Sequence, residues 1–166
     1  MSQNTIILPK NLSKSYNMLS LIGNSEAKMD AKGRVFVPAS FRHLLDDQHV
    51  FVLRKSLFNQ CLVLYPEETW NELIQVLRSK LSRWKREEEQ IFRQFVAEAE
   101  RIELEDNGRM LIPKRYLTAF NFEKDVRFVG CDSTIEIWPA GKIEETFVET
   151  ETLATEIERL MSEQTP

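Results

Sequence analysis

Read for the alternation of apolar and polar positions, the chain falls into short strand-like runs separated by turns, with longer helical stripes between and after them. A first strand is predicted over residues 21–29, after which Gly33 supplies a tight turn by tolerating positive φ. Arg34-Val35-Phe36-Val37 forms a return strand stopped by Pro38, so the segment reads as a β-hairpin or β-turn-β unit. Residues 38–45 read as a short helix, with Pro38 in its first turn and Phe41, Leu44 and Leu45 on one face. Residues 50–53 and 61–65 are two more strands. The longest helical pattern follows: Pro66, Glu67 and Glu68 mark an N-terminus that complements the helix dipole, and Trp70, Leu73, Ile74, Leu77, Leu81 and Trp84 recur at helical spacing. A polar break over residues 85–90 leads to a second stripe of Ile91, Phe92, Phe95, Val96 and Ala99. Together these predict a helical hairpin covering the sheet, its apolar positions serving as core rather than as a cofactor pocket. After Pro139 comes a weaker helix, then a final amphipathic one whose stripe of Leu153, Ile157, Leu160 and Met161 needs somewhere to dock, in this subunit or the next.

The pattern occurs twice. Asp30-Ala31-Lys32-Gly33-Arg34-Val35-Phe36-Val37-Pro38 returns as Glu105-Asp106-Asn107-Gly108-Arg109-Met110-Leu111-Ile112-Pro113. Each copy continues into a basic-aromatic segment (Phe41-Arg42-His43-Leu44 and Lys114-Arg115-Tyr116-Leu117) and closes on a strand ending in an aromatic residue and proline, at Tyr65-Pro66 and Trp138-Pro139. A solenoid needs three or more units to bury a continuous core. Two copies predict a pseudo-dimer instead, with matching strands supplied to a shared core. The organisation that follows is a leader over residues 1–17, expected to be disordered; a first repeat, 18–66; connecting helices, 67–100; a second repeat, 101–139; and an acidic helical tail, 140–166.

Composition narrows the class. With 166 residues, 42% of them hydrophobic, the chain can bury a proper core. No run approaches the roughly 20 apolar residues of a membrane span, and Ile6-Ile7-Leu8 is too brief for a secretory signal, which predicts a cytoplasmic protein without a membrane partner. Cys61 and Cys131 do not suggest a disulfide framework. With His43 and His49 the only histidines and no Cys-x-x-Cys, neither a metal nor another cofactor is expected. The net charge of −4 argues against a nucleic-acid partner until its distribution is considered. Lys32, Arg34 and Arg42 lie in one acid-free stretch and Arg109, Lys114 and Arg115 in another, while the acids gather at Glu87-Glu88-Glu89 and from Glu144 to Glu163. Local basic faces on an acidic body are compatible with steering toward DNA.

A single Asp-x-x-Gly-Arg unit is explained by turn chemistry and an ion pair across four residues. Its duplication, each time with an apolar strand, proline and a further arginine behind it, points beyond folding. Arg34 or Arg109 on a glycine turn can reach a major-groove guanine and bond O6 and N7 as a fork. Lys32 suits a phosphate better than a base. Arg42, Lys114 and Arg115 can grip the backbone or simply be solvated or ion-paired. Asp30 and Glu105 would repel phosphate and are read as orienting the arginines or crossing a subunit boundary.

From Leu19 to Trp138 the chain resembles the MraZ family, through Met29 to Pro38, Cys61 to Pro66 and Ile135 to Trp138. The resemblance implies an α+β fold, with two tandem β-α-β repeats forming a pseudo-twofold swapped-hairpin barrel of the AbrB/SpoVT looped-hinge type. It implies a nucleoid-associated regulator, a repressor of the division and cell-wall gene cluster, that binds short direct repeats in promoter DNA as a ring of identical subunits. Asp30 and Arg34 match the family's Asp-x-x-x-Arg motif. In the second copy Glu105 stands where the family shows Asp, with Asp106 displaced by one position, and whether that turn serves DNA, the fold or a subunit contact stays open. The implied DNA-binding set is Lys32, Gly33, Arg34, Arg42, Gly108, Arg109, Lys114 and Arg115.

Two other classes compete. An antitoxin-like or scaffold module that binds protein rather than DNA is favoured by the acidic C-terminal helix. An enzyme is disfavoured, since the chain has no Gly-x-x-x-x-Gly-Lys loop, no Gly-x-Ser-x-Gly elbow and no Cys-His dyad in context, and no small-molecule substrate is expected.

Overall fold

The computed structural model describes residues 20–45 and 48–163; the leader expected over residues 1–17 lies outside them. Strands β1 (Asn24–Lys28) and β2 (Arg34–Phe36) precede helix α1 (Ala39–Arg42), which runs into a 3-10 turn (His43–Leu45), and strands β3 (Val50–Lys55) and β4 (Leu62–Pro66) follow. After helices α2 (Glu67–Lys80) and α3 (Arg86–Ala97), the second copy repeats the order as β5 (Glu100–Glu103), β6 (Arg109–Leu111), α4 (Lys114–Ala119), β7 (Asp125–Cys131) and β8 (Thr134–Pro139). A second 3-10 turn (Glu144–Thr146) leads to α5 (Thr150–Ser162).

The larger sheet has the order β1-β7-β8-β4-β3-β5, and β2 and β6 form a second, two-stranded sheet. Exchanging each strand for its counterpart in the other copy reverses this order onto itself. The pseudo-twofold therefore passes between β4 and β8, where Val63 faces Glu136, and through the small ribbon, where Val35 faces Met110. The first strand of each copy is lent to the other: β1 pairs with β7, setting Ala27 against Val126, and β5 pairs with β3, setting Ile102 against Phe51. Val35, Phe41, Leu53 and Leu64 from the first copy and Met110, Tyr116, Phe128 and Ile137 from the second meet in one buried cluster. Among the described residues, neither half has a core of its own.

The expected swapped-hairpin barrel is corrected in one respect, because the sheet does not close. It keeps edges at β1 and β5. Each of β2 and β6 is only three residues long, and each leaves its predecessor's direction at a glycine turn to pair across the pseudo-twofold. The first turn accordingly joins strands that diverge to different partners, held together by the single Met29–Val35 bridge, rather than the arms of a regular hairpin.

The helices also differ from the pattern in places. Leu81 and Trp84 lie beyond α2, which ends where Leu81 turns extended at φ −114°, ψ 127°. The polar stretch read as a break is the first turn of α3, where Glu87, Glu88 and Glu89 meet the positive end of the helix dipole. The helical hairpin does not cover the sheet as core: α2 buries Thr69 and Trp70, and α3 buries no residue. The weaker helix after Pro139 is the 3-10 turn, and every residue of α5 is exposed. None of the described helices is long and apolar enough to cross a membrane.

Candidate nucleic-acid interface

Both motif turns are closed by the same backbone bonds. In the first, the Gly33 N–H donates to Asp30 O at 3.1 Å and the Asp30 N–H to Arg34 O at 3.0 Å; in the second, Gly108 donates to Glu105 O at 2.8 Å and Glu105 to Arg109 O at 2.9 Å. Gly33 and Gly108 stand at φ +89° and +85°, where an L side chain is strained. The turns are tied across the pseudo-twofold: Ile112 N–H donates to Gly33 O and Val37 N–H to Gly108 O, each at 2.9 Å. Both glycines are consequently buried, and the turns are not free tips.

The side chains divide the work differently in the two copies. Asp30 does two jobs, accepting the Lys32 and Arg34 N–H groups on Oδ1 at 2.9 Å and the Arg34 Nε on Oδ2 at 2.7 Å. Its hydrogen bond from the Arg34 backbone N–H, outweighing partial desolvation and helped by the Arg34 side chain and the Lys32 N–H, holds the carboxyl below its ordinary range. In the second copy Asn107 Oδ1 accepts the Arg109 N–H at 3.1 Å, leaving Glu105 to grip Arg109 alone, Oε2 to Nε at 2.9 Å and Oε1 to Nη2 at 3.4 Å. Glu105, one methylene longer, thus still reaches its arginine. Arg34 keeps both terminal nitrogens clear of Asp30, whereas Arg109 has one committed.

The β2–β6 ribbon brings the two arginines onto one surface. Val35 and Met110 point into the core, so the period-two alternation turns Arg34, Phe36, Arg109 and Leu111 outward. Arg34 lies opposite Leu111 and Phe36 opposite Arg109, and the two apolar side chains are 52% (Phe36) and 51% (Leu111) exposed. The result is a two-by-two face of alternating arginine and apolar side chain. Phe36, Leu111 and Asn107 were absent from the residues singled out in the sequence. The signal for the first two was present, since strict alternation in Arg34-Val35-Phe36-Val37 turns Phe36 to the side of Arg34 once Val35 is buried.

The remaining basic residues are placed unequally. Lys32 is exposed in the first turn and Lys114 at the start of α4, neither with an ion-pair partner among the described residues. Arg42 lies across the second turn, Nη1 donating to Asn107 O at 3.1 Å, and its counterpart Leu117 covers Gly33 in the first. Arg115 is committed to Glu100 at 2.7 Å and the Tyr116 hydroxyl at 2.9 Å, its guanidinium over the Tyr116 ring. Cys61 and Cys131 are free thiols that both donate to Glu136; burial, and then the Glu136 charge, push both up, Cys131 to about 11. They are protonated at neutral pH and poor nucleophiles.

Comparison with known proteins agrees with this architecture. The family model described as "MraZ protein, putative antitoxin-like" matches the chain twice, over residues 20–94 and 95–162. A protein of Phocaeicola vulgatus named transcriptional regulator MraZ is 50% identical over 145 residues, covering 86% of this chain and 94% of its own length. One of the same name from Bacteroides fragilis is 47% identical over 149 residues, 89% of this chain and 94% of the relative. A more distant one from Thermoanaerobacter pseudethanolicus is 38% identical over 143 residues, 86% of this chain and 97% of the relative. A duplicated unit matched in both copies, and relatives aligned over nearly their full length, place the chain in the MraZ family.

Proposed function

We propose that the chain is a DNA-binding transcriptional regulator that reads double-stranded DNA with the outer face of the β2–β6 ribbon. The observation that carries this reading is the ribbon pairing itself, which puts Arg34 and Arg109 on one exposed face with each guanidinium held by a carboxylate of its own turn. A two-stranded ribbon fits the major groove, where an arginine fork bonds guanine O6 and N7 and an apolar side chain meets the thymine methyl. Arg34 presents its two terminal nitrogens for that fork; Phe36 and Leu111 supply the apolar contacts. Lys32 and Lys114 serve the phosphates. Gly33 and Gly108 shape the turns, while Arg42 and Arg115 act indirectly, by bracing the second turn and α4.

One subunit offers little basic surface, so specific affinity comes from several acting together in a ring on promoter direct repeats, where assembly raises the effective concentration. Bending a short site along the rim costs about 1–6 kcal/mol, which several contacts offset. In this reading the protein works at the nucleoid in the cytoplasm and represses the division and cell-wall genes. The test is a gel-shift titration against a fragment from the protein's own upstream region at two salt concentrations. Wild type gives a specific, salt-sensitive complex; Arg34→Ala weakens it at least about fivefold, the lower end of the ~1–3 kcal/mol of a base fork, and Arg109→Ala weakens it less. A wild-type protein that ignores this DNA overturns the reading. The protein-interaction module then takes its place, favoured by the exposed apolar stripe of α5.

A further inference from the structure

We propose that α5 of one subunit docks in the apolar groove beside α2 and α3 of a second copy of this chain. The inference rests on the ring assembly proposed above and names its contact. The groove has a volume of about 660 Å³ and is walled by Leu57, Leu73, Leu77, Ile91, Phe95 and Phe120. It is open because α3 buries none of its residues, and Ile91 in its wall is 57% exposed. The complementary piece is on the same chain. Leu153, Ile157, Leu160 and Met161 recur along one side of α5 and are between 50% and 83% exposed, with nothing among the described residues over them.

Size and charge match. At 1.5 Å per residue the thirteen residues of α5 and the fourteen of α2 are both about 20 Å long. Alongside its stripe α5 carries Glu151, Glu156 and Glu158 against Arg159 alone. The groove is lined by Lys55 and by the paired Arg54 and Glu98, and Lys80 and Arg83 follow Leu77 in the chain; Lys55, Lys80 and Arg83 have no ion-pair partner among the described residues.

The segment that leads into α5 is anchored to its own subunit. Ile143 is buried, Glu144 pairs with Arg127 at 3.3 Å, Lys142 with Glu145 at 3.3 Å, and the Thr146 hydroxyl donates to Ile143 O at 2.6 Å. With every residue of α5 exposed, the helix stands off its own subunit, and a neighbour's groove can receive it as it stands. Because helix and groove are different surfaces, the contact is head-to-tail, and such contacts add subunits until the rotation closes a ring.

The experiment is light scattering on the full chain as wild type, as Ile157→Glu, as Ile91→Glu, and as a one-to-one mixture of the two variants. Both substituted side chains are more than half exposed, and circular dichroism verifies that each variant stays folded. Wild type is expected well above the 19.5 kDa of one chain. Each variant alone is expected at the mass of one chain, and the mixture at that of two, because one variant keeps an intact groove and the other an intact helix. A wild type at the mass of one chain overturns both this contact and the ring. A wild-type assembly that survives both substitutions overturns the contact while leaving the ring to another surface. Loss of assembly in Ile157→Glu alone, with no dimer in the mixture, overturns it in favour of α5 pairing with itself.

Discussion

Asp30 and Glu105 hold equivalent places and do unequal work, and the difference has measurable consequences. Asp30 accepts turn N–H groups and the Arg34 side chain together, and these bonds lower its pKa in the folded state. A carboxyl with a depressed folded pKa contributes stability that is fully present above its unfolded pKa and is lost as pH falls through the folded value. The stability gap between wild type and Asp30→Asn should therefore be constant from roughly pH 5 to 8 and close below about pH 4, measured by urea denaturation across pH. The glycines separate in the same assay. A Cβ on Gly33 would stand 2.6 Å from the Ile112 carbonyl oxygen, which is backbone, whereas one on Gly108 would meet the Arg42 side chain, which can swing aside. Positive φ alone costs an alanine about 1–2 kcal/mol. Gly33→Ala should exceed that range and Gly108→Ala should fall within or slightly above it, with the excess at Gly108 disappearing in an Arg42→Ala background.

At the scale of elements, burial separates the ribbon from the helical hairpin. The ribbon is three residues long on each side, yet its inward Val35 and Met110 are 1% exposed and sit in the common core. Helix α3 is four times longer and is held from one side, by Phe95 stacked on Trp70 at 5.5 Å and by the buried Arg54, which donates to Phe95 O and pairs with Glu98. Sequence periodicity marked both α2 and α3 as amphipathic. It could not show whether the apolar face meets this subunit or another, because a 3.6-residue period is the same in either case. Phe95→Ala should release α3 while leaving the sheet intact. Native-state hydrogen exchange is expected to show at least about tenfold lower protection in α3, or ~1.4 kcal/mol, with β3, β4, β7 and β8 unchanged.

For the whole molecule, the decisive feature is the exchange of β1 and β5 between the copies. With each half completing the other's sheet and one cluster shared by both, the two repeats should unfold together. Urea unfolding followed by tryptophan fluorescence and by circular dichroism is expected to give coincident transitions; two separated transitions would mean that the halves are autonomous. The duplication, the turns and the pairing of each arginine with a carboxylate four residues before it were determined by the sequence itself, because they depend on contacts within five residues and on a glycine that alone tolerates positive φ. Even the Glu105 departure was readable as a longer reach to the same arginine. The loan of β1 and β5, the open edges where a barrel was expected, the ribbon face that adds Phe36 and Leu111 to the arginines, and the apolar groove beside α3 were decided only by the tertiary structure. Strand alternation says which side chains share a face, but the same alternation is satisfied by a neighbouring strand, a strand of the other copy, or a second molecule. That choice is made by packing between residues distant in the chain.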